Sequence, residues 1–166
     1  MNAPASQIEP AVRTAAPVIE ASGLGLTFAT NDGPVNALSN VNLTIDRGEF
    51  VSFIGPSGCG KTTFLRAIAD LEQPTEGSIL VNGLSPRAAR EARSYGYVFQ
   101  AAGLFPWRTI ERNVALPLEI MGYPRPEIEA RIARTLALVN LAGFEKKFPW
   151  QLSGGMQQRA SIARAL

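Results

Sequence analysis

Apolar and polar positions alternate from Val41 to Ile45, with Asn42 and Thr44 set between Val41, Leu43 and Ile45, and predict a half-buried strand. Upstream, Val18 to Phe28 has a strand-like pattern weakened by Gly23 and Gly25. The turn chemistry of TNDGPVN (30–36) joins the two as an antiparallel hairpin beside the main sheet. Asp46-Arg47-Gly48-Glu49 turns the chain again. FVSFIG (50–55), a short apolar run with Phe and β-branched residues, predicts a buried parallel strand. Phe64, Leu65, Ile68 and Leu71 then recur at helical spacing. QPTEG (73–77) is a turn, SILVNG (78–83) a short strand, 86–94 a short polar helix, and YGYVFQ (95–100) a strand ending in Gln100. A loop over 101–109 holds Phe105, Pro106 and Trp107, and a helical signal follows over 110–120 with Pro117 as a potential kink. Pro124 and Pro126 mark a boundary, after which Ile128, Ile132, Leu136 and Val139 form a helical stripe. Past a connection over 140–151, Met156, Ala160, Ala163 and Leu166 predict a helix from Gly155 to the last residue. Residues 1–17, rich in Ala and Pro, read as a disordered tail.

Composition narrows the picture. The 166 residues suffice for one domain with a sizeable core, and 46% hydrophobic with 18% charged residues is ordinary for a globular chain. The net charge of +2 is too small to argue for nucleic acid or an anionic membrane surface. No apolar run approaches the roughly 18 residues that span a bilayer. The N-terminus, with Glu9 and no apolar segment, does not read as a signal peptide. A single cysteine, Cys59, forms no internal disulfide and points to a reducing compartment; its loop position offers either a reactive thiol or a small side chain that fits a tight bend. The sequence has no histidine, which excludes His-based catalysis or metal binding within it.

The chemistry-bearing stretch is GPSGCGKTT (55–63). Gly55, Gly60, Lys61 and Thr62 occupy the fixed positions of the G-x-x-x-x-G-K-[ST] pattern. A polyphosphate needs many donors at short range. Glycines at 55, 58 and 60 let successive N–H groups of Gly55, Pro56, Ser57, Gly58, Cys59 and Gly60 (proline excepted) turn inward. A helix beginning near Lys61 adds its N-terminal donors. Lys61 supplies a mobile charge for the outer phosphates, Thr62 a hydroxyl for Mg²⁺, and Thr63 continues the first turn. A predicted strand before and helix after is the setting the pattern requires; the alternative is a plain strand-to-helix turn. A second stretch, LSGGMQQR (152–159), places Ser153 as an N-cap with Gly154 and Gly155 behind it, a second anion-binding helix start or simply a cap.

Taken together, GPSGCGKT, YVFQ and LSGGMQQRASIARAL resemble the nucleotide-binding subunit of an ATP-binding cassette (ABC) transporter, over about Val18 to Leu166. The resemblance implies an α/β phosphate-loop NTPase fold with an antiparallel β region and a helical subdomain over about 101–151. It implies ATP and Mg²⁺ as ligands. Phe28 falls where the family stacks an aromatic on adenine; a core-facing strand residue is the rival reading. Residues 55–63 would bind the phosphates. Gln100 would touch Mg²⁺ and the surroundings of the attacking water. Ser153, Gly154 and Gly155 would contact the γ-phosphate. Two copies would pack head to tail, each ATP lying between one phosphate loop and the other copy's signature helix. Closure would drive a transmembrane permease fed by a periplasmic substrate-binding protein, with this subunit on the cytoplasmic face of the membrane and no nucleic acid as partner. GLFPWRTIERNVALPLE (103–119) resembles the nitrate/sulfonate/taurine importers, in which this segment lines the permease groove. Phe105 and Trp107 would be anchors there or would pack inward.

The family pattern continues beyond the signature helix with an Asp–Glu strand and a switch histidine that these 166 residues do not contain. The 166 residues alone are therefore expected not to hydrolyse ATP at a useful rate. Residues 50–55 are expected to lose ladder partners, with marginal stability or aggregation as the result. A soluble ABC protein without a permease, or a binding-only fragment, is the other reading; a small-molecule kinase is disfavoured by LSGGMQQR.

Overall fold

The computed structural model describes residues 16–166, and most of the tail predicted for 1–17 lies outside them. The chain divides into two compact units, the first ending at Tyr95 and the second running from Gly96 to Leu166.

In the first unit β1 (Ile19–Thr30) and β2 (Gly33–Ile45) form the predicted antiparallel hairpin, paired from Ile19 opposite Ile45 to Thr30 opposite Gly33 with register shifts between Ala21 and Thr27. Asn31 and Asp32 make the turn, and the Thr30 hydroxyl donates to the Gly33 carbonyl at 2.6 Å. After α1 (Lys61–Ile68), β3 (Glu76–Val81) pairs antiparallel with the free edge of β1, giving the order β2-β1-β3. Gly77, at φ 69°, lies so close to the Gly23 carbonyl that no Cβ would fit, which keeps the strands together where β1 bulges. A short helix, α2 (Pro86–Glu91), follows, capped by the Ser85 hydroxyl. Leu24, Leu26, Leu38 and Ile79 from the sheet meet Phe64 and Ala67 from α1 in one buried cluster, each large side chain contributing about 1.5–3 kcal/mol by burial.

The second unit is helical. It comprises α3 (Ile110–Ile120), α4 (Arg125–Leu138) and α5 (Gly154–Ala165), with a 3-10 turn at Pro149–Gln151 before α5. Ile110, Val114, Leu136, Leu141, Leu152, Ala160 and Ala163 form its core. Of the predicted stripe, Leu136 is fully buried in that core, and Ile132 on α4 and Val139 just beyond it pack against it. α3 runs through Pro117 without a break in the helix.

Two predicted strands are not formed. Residues 50–55 and 95–100 belong to no strand, and the described residues contain no parallel pair. Phe50 and Ile54 are 94% and 95% exposed rather than buried. Apolar, β-branched composition prepares a segment for a sheet, but a strand exists only where a neighbour accepts its N–H and C=O groups. Phe53 alone of the 50–55 run turns inward, edge-on to Phe64 with 5.4 Å between ring centroids. Leu71 and Leu166, predicted on helical stripes, lie outside the helices and are exposed.

Candidate functional site

The loop from Gly55 to Gly60 is shaped by its own glycines. Gly58 and Gly60 have φ of 82° and 91°, in the left-handed region. A Cβ on Gly60 would also stand 2.6 Å from the Ala37 carbonyl and 2.9 Å from Leu38, so β2 leaves room for glycine only. A Cβ on Gly55 would meet the Cys59 sulfur at 2.8 Å. Gly60 is the N-cap of α1 and brings no side chain to the first-turn N–H groups. Those donors are left for a ligand, and the positive end of the helix dipole faces the same way. Phe64, buried in the sheet core one turn later, fixes the helix axis.

Lys61 lies across this loop. Its ammonium donates to the carbonyls of Gly55 at 2.8 Å and Pro56 at 2.7 Å and sits 3.4 Å from the Cys59 sulfur. All three ammonium protons are therefore taken up within the loop, the weakest bond being the one to sulfur, and an anion would have to draw the ammonium from these contacts. Ser57 and Thr62 are exposed and Thr63 is half-buried. Phe28, on β1 opposite Val35, is half-buried and packs against the core cluster.

The remaining candidates belong to the second unit. Ser153 caps α5, its hydroxyl accepting from the Met156 N–H at 3.4 Å. Gly154 and Gly155 are exposed, and a Cβ on either would meet nothing within 4 Å. Gln157 fixes the approach to this end by donating to the carbonyls of Pro149 at 2.9 Å and Leu152 at 3.1 Å. Gln100 is exposed on an irregular segment, and its carbonyl accepts from the Gln158 side-chain amide. The structure thus gathers Phe28 and residues 55–63 in one unit, and Gln100 and residues 153–155 in the other.

Two supporting residues escaped the sequence reading. Asn113 is fully buried on α3. Its amide donates to the carbonyls of Phe105, Arg108 and Thr109 at 3.0–3.1 Å, and its oxygen accepts from the Phe105 N–H at 2.7 Å. That fully satisfied network fixes the 105–109 loop, on which Phe105 is half-buried and Trp107 is 71% exposed, the rings 5.1 Å apart. The signal was an Asn amid the apolar spacing of Ile110 and Val114. The second is Arg164, which donates to the carbonyls of Gly103 at 2.7 Å and Ala102 at 2.9 Å; burial lowers its pKa. In the first unit, Arg90 (2.9 Å) and then Gln73 (2.7 Å) hold the Asp70 carboxyl below the usual carboxylate range, tying α2 to the end of α1.

Nucleotide phosphates suit the first-unit loop on its own geometry: left-handed glycines at 58 and 60, helix donors without a side-chain cap, and a lysine ammonium lying on the loop. Thr62 at the start of α1 offers an exposed hydroxyl oxygen of the kind Mg²⁺ accepts. Among the described residues no cluster of His, Cys, Asp and Glu forms a separate metal site.

Phosphate-loop nucleotide-binding domains are built in this way, and the chain has the nucleotide-binding fold of the ABC ATPases. Residues 38–166 match the family model of the ABC transporter, and the chain belongs to that family. It is 46% identical over 136 residues to the Fe(3+) ions import ATP-binding protein of Escherichia coli, covering 81% of this chain and 39% of that protein. It is 41% identical over 139 residues to the aliphatic sulfonates import ATP-binding protein of Bacillus cereus, covering 84% and 53%. Other relatives are methionine import ATP-binding proteins. Among solved structures, the dimeric post-hydrolysis state of an ATP-binding cassette bound to ADP and Pi superposes with a TM-score of 0.80 at 38% identity, over 89% of this chain and 68% of that one. The chain spans about half the length, or less, of the curated relatives it matches.

Proposed function

We propose that the chain is the ATP-binding, energy-coupling part of an importer subunit. The observation that carries this is the α1 N-terminus: uncapped, cradled by Gly58 and Gly60, with Lys61 laid over it. Residues 55–63 hold the phosphates, and Lys61 offsets their charge. Thr62, and Gln100 from the second unit, are the groups assigned to Mg²⁺, which when bound neutralises phosphate charge. Phe28 is the candidate adenine contact.

Ser153, Gly154 and Gly155 are assigned to the γ-phosphate of the nucleotide on a second copy. The open space around both glycines supports that reading, because nothing in their own unit needs them small. A head-to-tail pair closed by ATP and released on hydrolysis then moves a transmembrane permease, with a periplasmic binding protein delivering substrate. The place of action is the inner face of the membrane. Phe105 and Trp107, presented by the Asn113-braced loop, are candidate permease anchors. The nitrate/sulfonate/taurine class is favoured by the likeness of 103–119 and the sulfonate-import relative, while iron- and methionine-import relatives share the same core. The 166 residues carry the binding groups, and by themselves they are expected to bind ATP without robust turnover.

The test is equilibrium binding of a fluorescent ATP analogue to the full-length protein. Micromolar binding that Lys61→Ala weakens by about 100-fold, or ~2.7 kcal/mol, supports the reading. Equal binding by both proteins would sink it. Co-purification with membrane permease subunits tests the importer role.

A further inference from the structure

α5 is a rod with a job at each end. Its first end carries Ser153 and the two glycines. Further along, three side-chain donors leave the helix for main-chain carbonyls of a distant segment: Gln158 to Gln100, and the two Arg164 nitrogens to Gly103 at 2.7 Å and Ala102 at 2.9 Å. The same stretch of chain lies directly on the last turn of α5, since a Cβ on Gly96 would collide with the Ala165 carbonyl. Gly103, at φ 54°, takes a conformation that turns its carbonyl to the guanidinium. Among the described residues no carboxylate pairs with Arg164. A half-buried charge answered only by carbonyl oxygens is costly to keep for packing alone, since an apolar side chain would fill the space without desolvation. The fork spans two successive carbonyls, a geometry that a guanidinium provides and an ammonium does not.

The geometry points to Arg164, aided by Gln158, as a positioning residue that locks Gln100–Gly103 to the signature helix, so that a load taken up at Ser153–Gly155 displaces Gln100. This rests on the nucleotide reading above. The distance to be bridged is about 16 Å along one helix, from residue 153 to 164. Helices of this length transmit displacement as rigid bodies. The segment 100–103 has no strand or helix of its own to resist being carried along.

The test is amide hydrogen exchange over residues 100–109 in the full-length protein, with and without ATP. In the wild type, ATP is expected to slow exchange there by roughly tenfold. In Arg164→Ala and Arg164→Lys that ratio falls below about twofold, while affinity for the ATP analogue stays within about twofold of wild type. Gln158→Ala, which removes one hydrogen bond and no charge, gives a smaller change in the same direction and serves if the arginine variants fold poorly. Exchange raised equally with and without ATP, the wild-type ratio kept, would show that Arg164 only supports the fold and would overturn the proposal. A wild type whose 100–109 segment ignores ATP would overturn it too. Lys61→Ala separates the two levels: undiminished ATP binding in that variant refutes the nucleotide reading itself, whatever Arg164 does.

Discussion

The two helix starts that carry the candidate site are built on opposite plans. At α1 the N-cap is a left-handed glycine without a side-chain cap, and Gly60 is pressed so tightly against Ala37 and Leu38 that its own unit forbids anything larger. At α5 the N-cap is Ser153, its hydroxyl already engaged, and the glycines behind it look into open space. The first helix start is glycine-rich because the chain itself needs the room and the backbone freedom. The second has glycines that its own unit does not require, and glycine in a first helical turn costs up to about 1 kcal/mol relative to alanine. The proposed contact with the nucleotide of a second copy would account for small residues there.

Substitution can break or sharpen this contrast. The largest effect is expected from Gly60→Ala: a strained φ and a backbone collision should lower stability by about 2–4 kcal/mol and remove ATP-analogue binding, as read by thermal melting and titration. Asn113→Ala comes next. It leaves three carbonyls and one N–H in the second unit without their shared partner, and should cost about 2–3 kcal/mol while leaving nucleotide affinity near wild type. Gly154→Ala reverses the pattern. It should leave melting unchanged or raise stability by up to about 1 kcal/mol, yet weaken ATP-driven pairing of two copies in sedimentation. A loss of stability from Gly154→Ala as large as that from Gly60→Ala would erase the contrast.

The smallest effect concerns acid. Asp70 has its pKa lowered in the fold, so its ion pair with Arg90 contributes above the ordinary carboxylate pKa of about 4 and is lost as pH falls through the lowered folded value. Arg90 is half exposed, so solvent screening keeps the contribution small. Asp70→Asn should lower stability at pH 7 by the same small amount that it removes from the loss below about pH 4; an unchanged acid limb would refute the assignment.

Local pattern made the hairpin, β3 and the helices legible because turn chemistry at Asn31–Asp32 and helical spacing at Ile132 and Leu136 are written within a few residues of where they act. The phosphate loop was legible for the same reason, its glycines and Lys61 falling within one short motif. The 50–55 and 95–100 strands were misread because composition speaks of a segment's readiness to pair, whereas pairing depends on a partner elsewhere. Asn113 and Arg164 were missed because they act on main-chain carbonyls, which have the same chemistry in every residue and so leave no mark in the sequence of the segment they hold.

The hairpin also sets an order of events. Its two-residue turn lets β1 and β2 zip within about 1–10 μs. β3 can join the other edge of β1 only after the 46–75 stretch has looped out and returned, a slower closure with a larger entropy cost. Phe64 and Ala67 sit inside that stretch, so α1 docks on a hairpin that is already paired. The 55–60 loop, pressed at Gly60 against Ala37 and Leu38 of β2, therefore takes its shape after the hairpin rather than before it.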